Sequence, residues 1–314
     1  MISSIVAAGI FGPVTWSYFS YLTIIVIGVI ALYQRGEWRK AGAIDKLVML
    51  GPIFYAAPIA AFGTEHFTVT ESMIPLIPKW IPFPHFWVYF VGACFITAAL
   101  SLVTRINARL AASLLSLTFF LFVVLIFIPG SIANPGNRFA ITVALRETSF
   151  SGGALAFACF LTQPWTSVTK IAATIARYFV AIPVLFFSYQ QFLHADHVPG
   201  IPLMMTTPTW LFGHSVWTYL VATVYAVAGI FLLIGKKTRF AAIAIAMSVL
   251  LVELVVYVPI ATAERAQLEG LNYLADTLMF CGAVLLLASA MPRNNAVAIP
   301  VKTVPSSSAA VEAS

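Results

Sequence analysis

Five histidines are the side chains of this sequence best suited to bind a cofactor, and they fall in two short segments of the chain. They are His66 and His85 in the first segment, and His194, His197 and His214 in the second. An imidazole can ligate a metal or haem, or hydrogen-bond a quinone carbonyl and transfer its proton. The grouping therefore predicts one cofactor site shared by the two segments, with quinone or haem as candidate cofactors. The alternative is that histidine, like tryptophan, is stable at a membrane interface.

The densest part of this set is the sequence HADH, which brings His194, Asp196 and His197 close together in the chain. Two imidazoles and a carboxylate are common ligands of transition metals, so these residues are the candidate metal site. A histidine pair spaced by three is a weak metal signature without further ligands. The sequence therefore names candidate ligands and no particular metal.

Three ionisable residues in or beside strongly apolar segments are the candidate catalytic residues. Glu253 stands within LLVELVVYVP, and Arg146 and Asp276 stand at equivalent places near the starts of two similar segments. A charge near the bilayer centre costs at least about 2.5 to 3.5 kcal/mol, so such side chains are usually buried against a partner. We expect Arg146 to pair with Asp276 or with Glu253, as a structural bridge first and a catalytic group second.

The elements that must hold these residues are membrane-spanning helices. Of the 314 residues 61% are hydrophobic and only 9% charged, whereas soluble domains are near a quarter charged. Several stretches reach the roughly 20 apolar residues of a spanning helix, and none alternates with the period of a β-barrel strand. The net charge of +6 is spread thinly between apolar segments, which argues against a nucleic-acid partner. The sequence predicts an all-α, polytopic transmembrane bundle with the lipid bilayer as a partner.

Nine spans are predicted from these stretches. They cover residues 14–33, 45–63, 86–104, 110–129, 147–164, 174–193, 215–234, 240–259 and 271–290. With these spans, most of the 17 basic residues fall on one side, which the positive-inside rule assigns to the cytoplasm. We therefore expect a multi-pass protein of the cell (plasma or inner) membrane, with its N-terminus outside and its C-terminus inside.

One part of the sequence aligns with another at a constant shift along the chain. The shift that places Trp80 on Trp210 also places Trp87 on Trp217, in one unbroken register, and it is called the repeat offset here. This pattern predicts a duplicated four-helix unit whose copies enter the membrane from the same side. The predicted domains are a leading helix with a basic cytoplasmic loop at 1–40, a first repeat at 41–168, a second repeat at 169–293, and a disordered cytoplasmic tail at 294–314.

Several motifs of the repeats resemble a known family. The first repeat reads GTEHF at 63–67, IPLIPKWIPFP at 74–84 and WVYFVG at 87–92, and both repeats end in similar helices. These motifs resemble the DoxX-like (DoxD-related) family of four-helix membrane proteins, here present twice. DoxX is named for a subunit of a thiosulfate:quinone oxidoreductase, so the resemblance implies a redox role. Phe95 and Ile96 stand where the family often carries a glutamate, so a catalytic role of that glutamate does not transfer.

Three functions stay open, and the sequence does not decide whether the protein is an enzyme. The first is a quinone-facing or electron-transfer component of a membrane redox complex, beside a protein partner. The second is a transporter for a small solute or proton, because many transporters are built from repeats. The third is a non-catalytic assembly or scaffold protein. The chain has no Walker loop, GxGxxG, HExxH, nucleophile elbow or CxxC, which disfavours ATP-driven transport, dinucleotide redox, zinc proteolysis and disulfide exchange.

Two geometric outcomes separate the first two functions. Convergence of the histidines with Glu253 in one cavity would favour the quinone function, whereas a polar cavity at the membrane midplane would favour transport. If one half alone is active, we expect it to be the second, which carries HADH, Glu253 and Asp276.

Overall fold

A computed structural model describes residues 12–201, 205–210, 213–263 and 267–292. Nine long helices run through these residues: α1 (Pro13–Gln34), α2 (Ala43–Thr68), α3 (Pro84–Thr104), α4 (Ala108–Ala133), α5 (Arg138–Phe160), α6 (Ser167–Leu193), α7 (His214–Ile234), α8 (Thr238–Ala263) and α9 (Leu268–Ala290). Short helices at Glu37–Lys40 and Thr70–Met73 and a 3₁₀ turn at Ile74–Leu76 lie in the connections. The described ranges contain no strand, so the predicted all-α bundle is confirmed.

Eight of these helices are long and apolar enough to cross a membrane, and the protein is therefore a multi-pass membrane protein. The exception is α5, which has the length of a span but carries Arg146 and Glu147 near its middle. The predicted fifth span, 147–164, is wrong at both ends. The prediction places the start of that span at these two charged residues, whereas they are buried and the helix extends on both sides of them.

The helices form a ring of contacts with a bridge across its centre. From α2 each helix packs on the next as far as α9, which packs back on α2, while α5 and α9 also contact each other. Helix α1 lies beside α2 and α3. Within an apolar stretch of 18 residues in each helix, 83% of the residues of α9 are buried, whereas only 22% of those of α1 are buried. Helix α9 is therefore central, and α1 is placed to face lipid.

Glycine makes the central crossings possible. A Cβ on Gly153 would lie 2.5 Å from Ala283 Cα, and a Cβ on Gly282 would lie 2.4 Å from the Tyr55 nitrogen. Small residues of this kind let membrane helices approach closely, because their packing relies on van der Waals contact. Gly153 and Ala283 are related by the repeat offset, so the crossing of α5 and α9 joins equivalent positions of the two predicted repeats.

The helix bounds recur at the repeat offset. Helices α3, α4 and α5 begin and end at positions that this offset places on the ends of α7, α8 and α9 respectively. Both α4 and α8 contain a five-residue π-helical segment in the same place, Val123–Phe127 and Glu253–Tyr257. The last helix of each predicted repeat packs on the first helix of the other, α5 on α6 and α9 on α2. These observations support the duplication, which stays a prediction.

The two ends of the bundle differ in chemistry. The end with the connections 69–83 and 194–213 is called the loop face here, and the opposite end is called the basic face. On the basic face Arg35 donates to the Val103 carbonyl at 3.0 Å, and Arg239 donates to the Ala288 carbonyl at 2.8 Å. The last carbonyls of a helix lack partners within the helix and carry partial negative charge. These arginines therefore stabilise the C-terminal ends of α3 and α9. This effect does not depend on the orientation of the bundle in the membrane.

Candidate functional site

A cavity of about 710 Å³ lies near the loop face in the first half of the chain. Its walls come mainly from α2, α3, α4 and α5, and the connection 73–82 covers it. Aromatic side chains are prominent in the wall: Phe62, Trp80, Trp87, Phe90, Phe95, Phe119, Phe122, Phe127 and Phe150. Cavities of this size and apolar character are typical of small-molecule sites.

Part of the cavity lining lies at the outer surface of the bundle, on α3 and α4. Phe90, Leu121 and Leu125 line it and are also exposed on the sides of these two spanning helices. Exposed apolar side chains on a spanning helix face the acyl chains of lipid. Residues of the cavity lining are therefore placed to contact lipid.

One wall of the cavity is polar and is organised by Arg146. Its Nη2 lies 3.1 Å from Glu147 Oε1, and its Nη1 donates to Asp276 Oδ2. The side chains of Arg146, Glu147 and Asp276 are only 13%, 9% and 11% exposed. The predicted pairing of Arg146 with Asp276 is thus confirmed, and the alternative pairing with Glu253 is wrong.

Glu65, His66 and Asn272 complete the polar wall. The Glu65 carboxyl group is buried and interacts with the Asn272 side chain, and its Oε1 has no partner in the described part of the chain. His66 donates from Nδ1 to the Phe62 carbonyl at 2.7 Å, since a carbonyl can only accept. In a neutral imidazole this leaves Nε2 as a hydrogen-bond acceptor. The wall therefore offers both donors and acceptors to a ligand.

In the second half, described residues of the chain itself occupy part of the equivalent space. Residues 198–201, called the plug here, are buried, and Val198 and Ile201 are almost fully enclosed. A Cβ built on Gly200 would lie within 4 Å of Val252 and Tyr257. Those two positions correspond, at the repeat offset, to residues that line the open cavity of the first half.

Hydrogen bonds hold the plug in place. Gln191 donates to the Gly200 carbonyl at 3.1 Å and accepts from the Gly200 nitrogen at 3.0 Å, while the Tyr257 hydroxyl donates to the Pro199 carbonyl at 3.0 Å. Gly200 has φ = +107°, a conformation that suits glycine. The cavity described above lies mainly in the first half, whereas the sequence favours the second half for function.

The histidines predicted to share one site are separated in the structure. His66 lines the cavity, whereas His85 is exposed and lies 3.3 Å from Glu71. His194 and His197 contact each other, with ring centroids 5.6 Å apart, and neither lines the cavity. The side chain of His214 and the tail at 294–314 lie outside the described residues. The described histidines and Glu253 thus do not converge, and a haem in the cavity could take one histidine ligand from its lining.

The candidate metal ligands do come together. One ligand atom from each of His194, Asp196 and His197 lies within 4.8 Å of the other two, and His197 Nδ1 lies 2.9 Å from Asp196 Oδ1. The hydrogen bond with His197 lowers the pKa of Asp196 below its usual value. Loss of hydration lowers the pKa of His194, and the nearby Arg138 acts in the same direction.

Glu253 lies away from the cavity, at the start of the π-helical segment of α8. Its side chain is buried, and within the described ranges neither carboxyl oxygen has a hydrogen-bond partner. Tyr21 of α1 and Cys281 of α9 are close enough to interact with it electrostatically. The first half has Val123 at the corresponding position, so this buried acid is specific to the second half.

Three residues of the polar wall are not among the candidates predicted from the sequence. Glu65 stands in the GTEHF motif, whose glycine and histidine carry the family resemblance, and Glu147 stands at the predicted start of the fifth span. The rule that selects Glu253 could have found both, since both are ionisable residues beside long apolar stretches. Asn272 is uncharged and comes from the other half of the chain, so no sequence signal marks it.

Comparison with known proteins adds one match. Residues 55–134 match the model of a family described as Domain of unknown function (DUF8561). The matched stretch begins within α2 and ends just after α4, so it contains most of the apolar wall of the cavity and its cover. No curated protein and no solved structure matches the chain.

Proposed function

We propose that the protein binds a quinone or quinol from the bilayer in this cavity, as the quinone-facing or electron-transfer component of a membrane redox complex. The observation that carries the proposal is that Phe90, Leu121 and Leu125 line the cavity and are also exposed on spanning helices. We infer that they form a lateral opening from lipid. A quinone has an apolar tail, a flat ring and two carbonyl groups. The opening, the aromatic walls and the polar wall match these three parts in order.

The polar wall can serve both redox forms of such a ligand. Arg146 Nε has no partner among the described residues and can donate to a quinone carbonyl. His66 Nε2 and Glu65 Oε1 can accept hydrogen bonds from the hydroxyl groups of a quinol. Reduction of a quinone takes up two electrons and two protons. In the proposal the carboxyl and imidazole groups of this wall carry the protons, and a redox protein bound to the chain supplies the electrons.

The family resemblance supports the same assignment. The three motifs that resemble DoxX-like proteins, at 63–67, 74–84 and 87–92, supply Glu65 and His66, much of the cover and part of the lipid-facing opening. The motifs and the cavity therefore coincide in space. DoxX-like relatedness remains part of the proposal.

Quinone binding can be measured with decylubiquinone and the purified full-length chain in lipid nanodiscs, through quenching of tryptophan fluorescence. We expect saturable binding that weakens about tenfold in His66→Leu and in Glu65→Leu, since each loses a hydrogen bond worth roughly 1 to 2 kcal/mol. The control is His85→Leu, which changes an exposed histidine outside the cavity. Equal quenching in all four proteins would indicate partition into lipid and would reject the proposal.

A second function is favoured by the charges of the polar wall. The polar wall carries three carboxyl groups, from Glu65, Glu147 and Asp276, and one guanidinium group. A buried excess of acidic groups favours a cationic ligand. A lipophilic cation would enter by the same path, which is the behaviour of a small-solute transporter. Tetraphenylphosphonium distinguishes the two functions in the nanodisc assay. Saturable binding of this cation without any binding of quinone would favour transport.

A further inference from the structure

The turn that follows α6 holds two imidazoles and a carboxylate in one small volume. The ligand atoms of His194, Asp196 and His197 lie within 4.8 Å of one another. Ligands of one tetrahedral zinc ion at about 2.1 Å are about 3.4 Å apart. Movements of up to about 1.4 Å between these partly exposed side chains therefore bring all three within bonding distance of one ion.

The backbone around these side chains is fixed before any ion binds. The His194 nitrogen donates to the Gln190 carbonyl at the end of α6, and the His197 nitrogen donates to the His194 carbonyl. The Thr207 nitrogen donates to the Asp196 carbonyl at 2.8 Å, and the Thr218 hydroxyl of α7 donates to the His197 carbonyl at 3.1 Å. The turn is thus tied to two helices and to the returning segment of its own loop, so an ion would lose little free energy in ordering it.

We propose that His194, Asp196 and His197 bind a divalent transition-metal ion of the zinc class, with water in the remaining position. Two imidazoles and one carboxylate suit zinc and its neighbours better than magnesium or calcium, which prefer oxygen ligands alone. Arg138 lies near His194, and its positive charge opposes the binding of a cation. The negative charge of the Asp196 carboxylate offsets this repulsion.

The site lies next to the plug, so a bound ion would hold the plug in place. His197 directly precedes the plug at 198–201, so an ion that joins it to His194 ties the plug to the end of α6. The bound ion thereby keeps the second half closed while the cavity of the first half stays open. This inference does not depend on what the first cavity binds, and metal binding is measured without quinone.

The test uses the full-length protein in detergent, titrated with Co²⁺ and Zn²⁺. We expect one Co²⁺ per chain, visible in its d–d absorption bands and displaced by Zn²⁺. The affinity should fall at least tenfold in His194→Ala, His197→Ala and Asp196→Asn, and stay within twofold in His85→Ala, the matched change of another loop-face histidine. Absence of saturable binding below about 100 µM would overturn the site, as would an equal loss in His85→Ala.

A second measurement tests the link to the plug. Ile201→Cys in a Cys94→Ser background places a thiol in the plug and removes the exposed native cysteine. We expect Zn²⁺ to slow maleimide labelling of this thiol severalfold, and to have no effect when His197→Ala is added. Labelling that ignores Zn²⁺ in a protein shown to bind the ion would overturn the structural consequence.

Discussion

Arg146 and Asp276, which occupy corresponding positions of the two predicted repeats, bind each other where α5 and α9 run side by side at the centre of the bundle. Glu147 also contacts the Arg146 guanidinium group, so one cation serves two carboxylates. The same three side chains form part of the cavity wall. The stability of the bundle and the chemistry of the cavity therefore depend on a common set of charges.

Replacement of Arg146 should destabilise the protein more than replacement of Asp276. Arg146→Gln leaves Asp276 and Glu147 side by side without a cation, and breaking a buried pair in this way costs about 3 to 5 kcal/mol. Asp276→Asn should cost less, because Arg146 keeps Glu147 as a partner. The midpoint of thermal unfolding in one detergent measures both.

The exposed pair of His85 and Glu71 provides the control for this experiment. The Glu71 side chain is 86% exposed, so Glu71→Gln should change stability by less than about 1 kcal/mol. If Arg146→Gln shifted the midpoint no further than Glu71→Gln, the central ion pair would not stabilise the bundle.

The crossing of α5 and α9 should not accept a methyl group at Gly153. A Cβ there would lie 2.5 Å from Ala283 Cα, which is backbone and cannot move aside cheaply. We expect Gly153→Ala to destabilise the protein by about 1 to 3 kcal/mol through overpacking. Gly136→Ala is the matched control, since no atom of the described residues lies within 4 Å of a Cβ at that position. Equal unfolding midpoints for the two variants would contradict the close crossing.

The buried carboxyl group of Glu253 should destabilise the protein. Glu253→Leu removes a buried carboxyl group that has no hydrogen-bond partner in the described part of the chain, so we expect a higher midpoint of thermal unfolding. Glu253→Gln keeps a buried polar group and should show no such increase. A lower midpoint for Glu253→Leu than for Glu253→Gln would mean that the carboxyl group has a stabilising partner.

Narrowing the lateral opening should slow quinone association. Leu121 lines the cavity and is 42% exposed, and its counterpart in the second half, Leu251, is 43% exposed on a half closed by the plug. We expect Leu121→Trp to reduce the association rate of decylubiquinone severalfold and Leu251→Trp to leave it unchanged. Stopped-flow tryptophan quenching, corrected for the added tryptophan, gives both rates. Equal rates would place the route of access elsewhere.

Hydrophobicity alone predicts most of the fold, because a bilayer accepts only helices that satisfy their own backbone. The predicted spans fall on all nine helices, but α2, α4, α6 and α8 extend several residues beyond them. The predicted spans are drawn from apolar stretches, so they leave out the polar residues at the ends of these helices. Helix α5 shows the same limit more strongly, since a partner from another helix allows Arg146 to lie well inside it.

The candidate site was only partly predictable. The repeat offset was enough to pair Arg146 with Asp276, because equivalent positions meet at the centre of the bundle. The same offset wrongly suggested that the two loops present their histidines to one site. The second loop folds into its own half instead, held by Gln191 and Tyr257, and neither residue has a polar counterpart in the first half.

The pairing at the centre also bears on the history of the chain, on the premise that the two halves descend from one four-helix ancestor. Two separate copies of such an ancestor, related by a two-fold axis, would face each other with identical side chains at this position. Two arginines or two aspartates would repel each other there, and neither could neutralise its neighbour. An attractive contact between these positions becomes available once both copies lie on a single gene and mutate independently. The Arg146–Asp276 pair is thus a contact that fusion permits and a symmetric homodimer forbids.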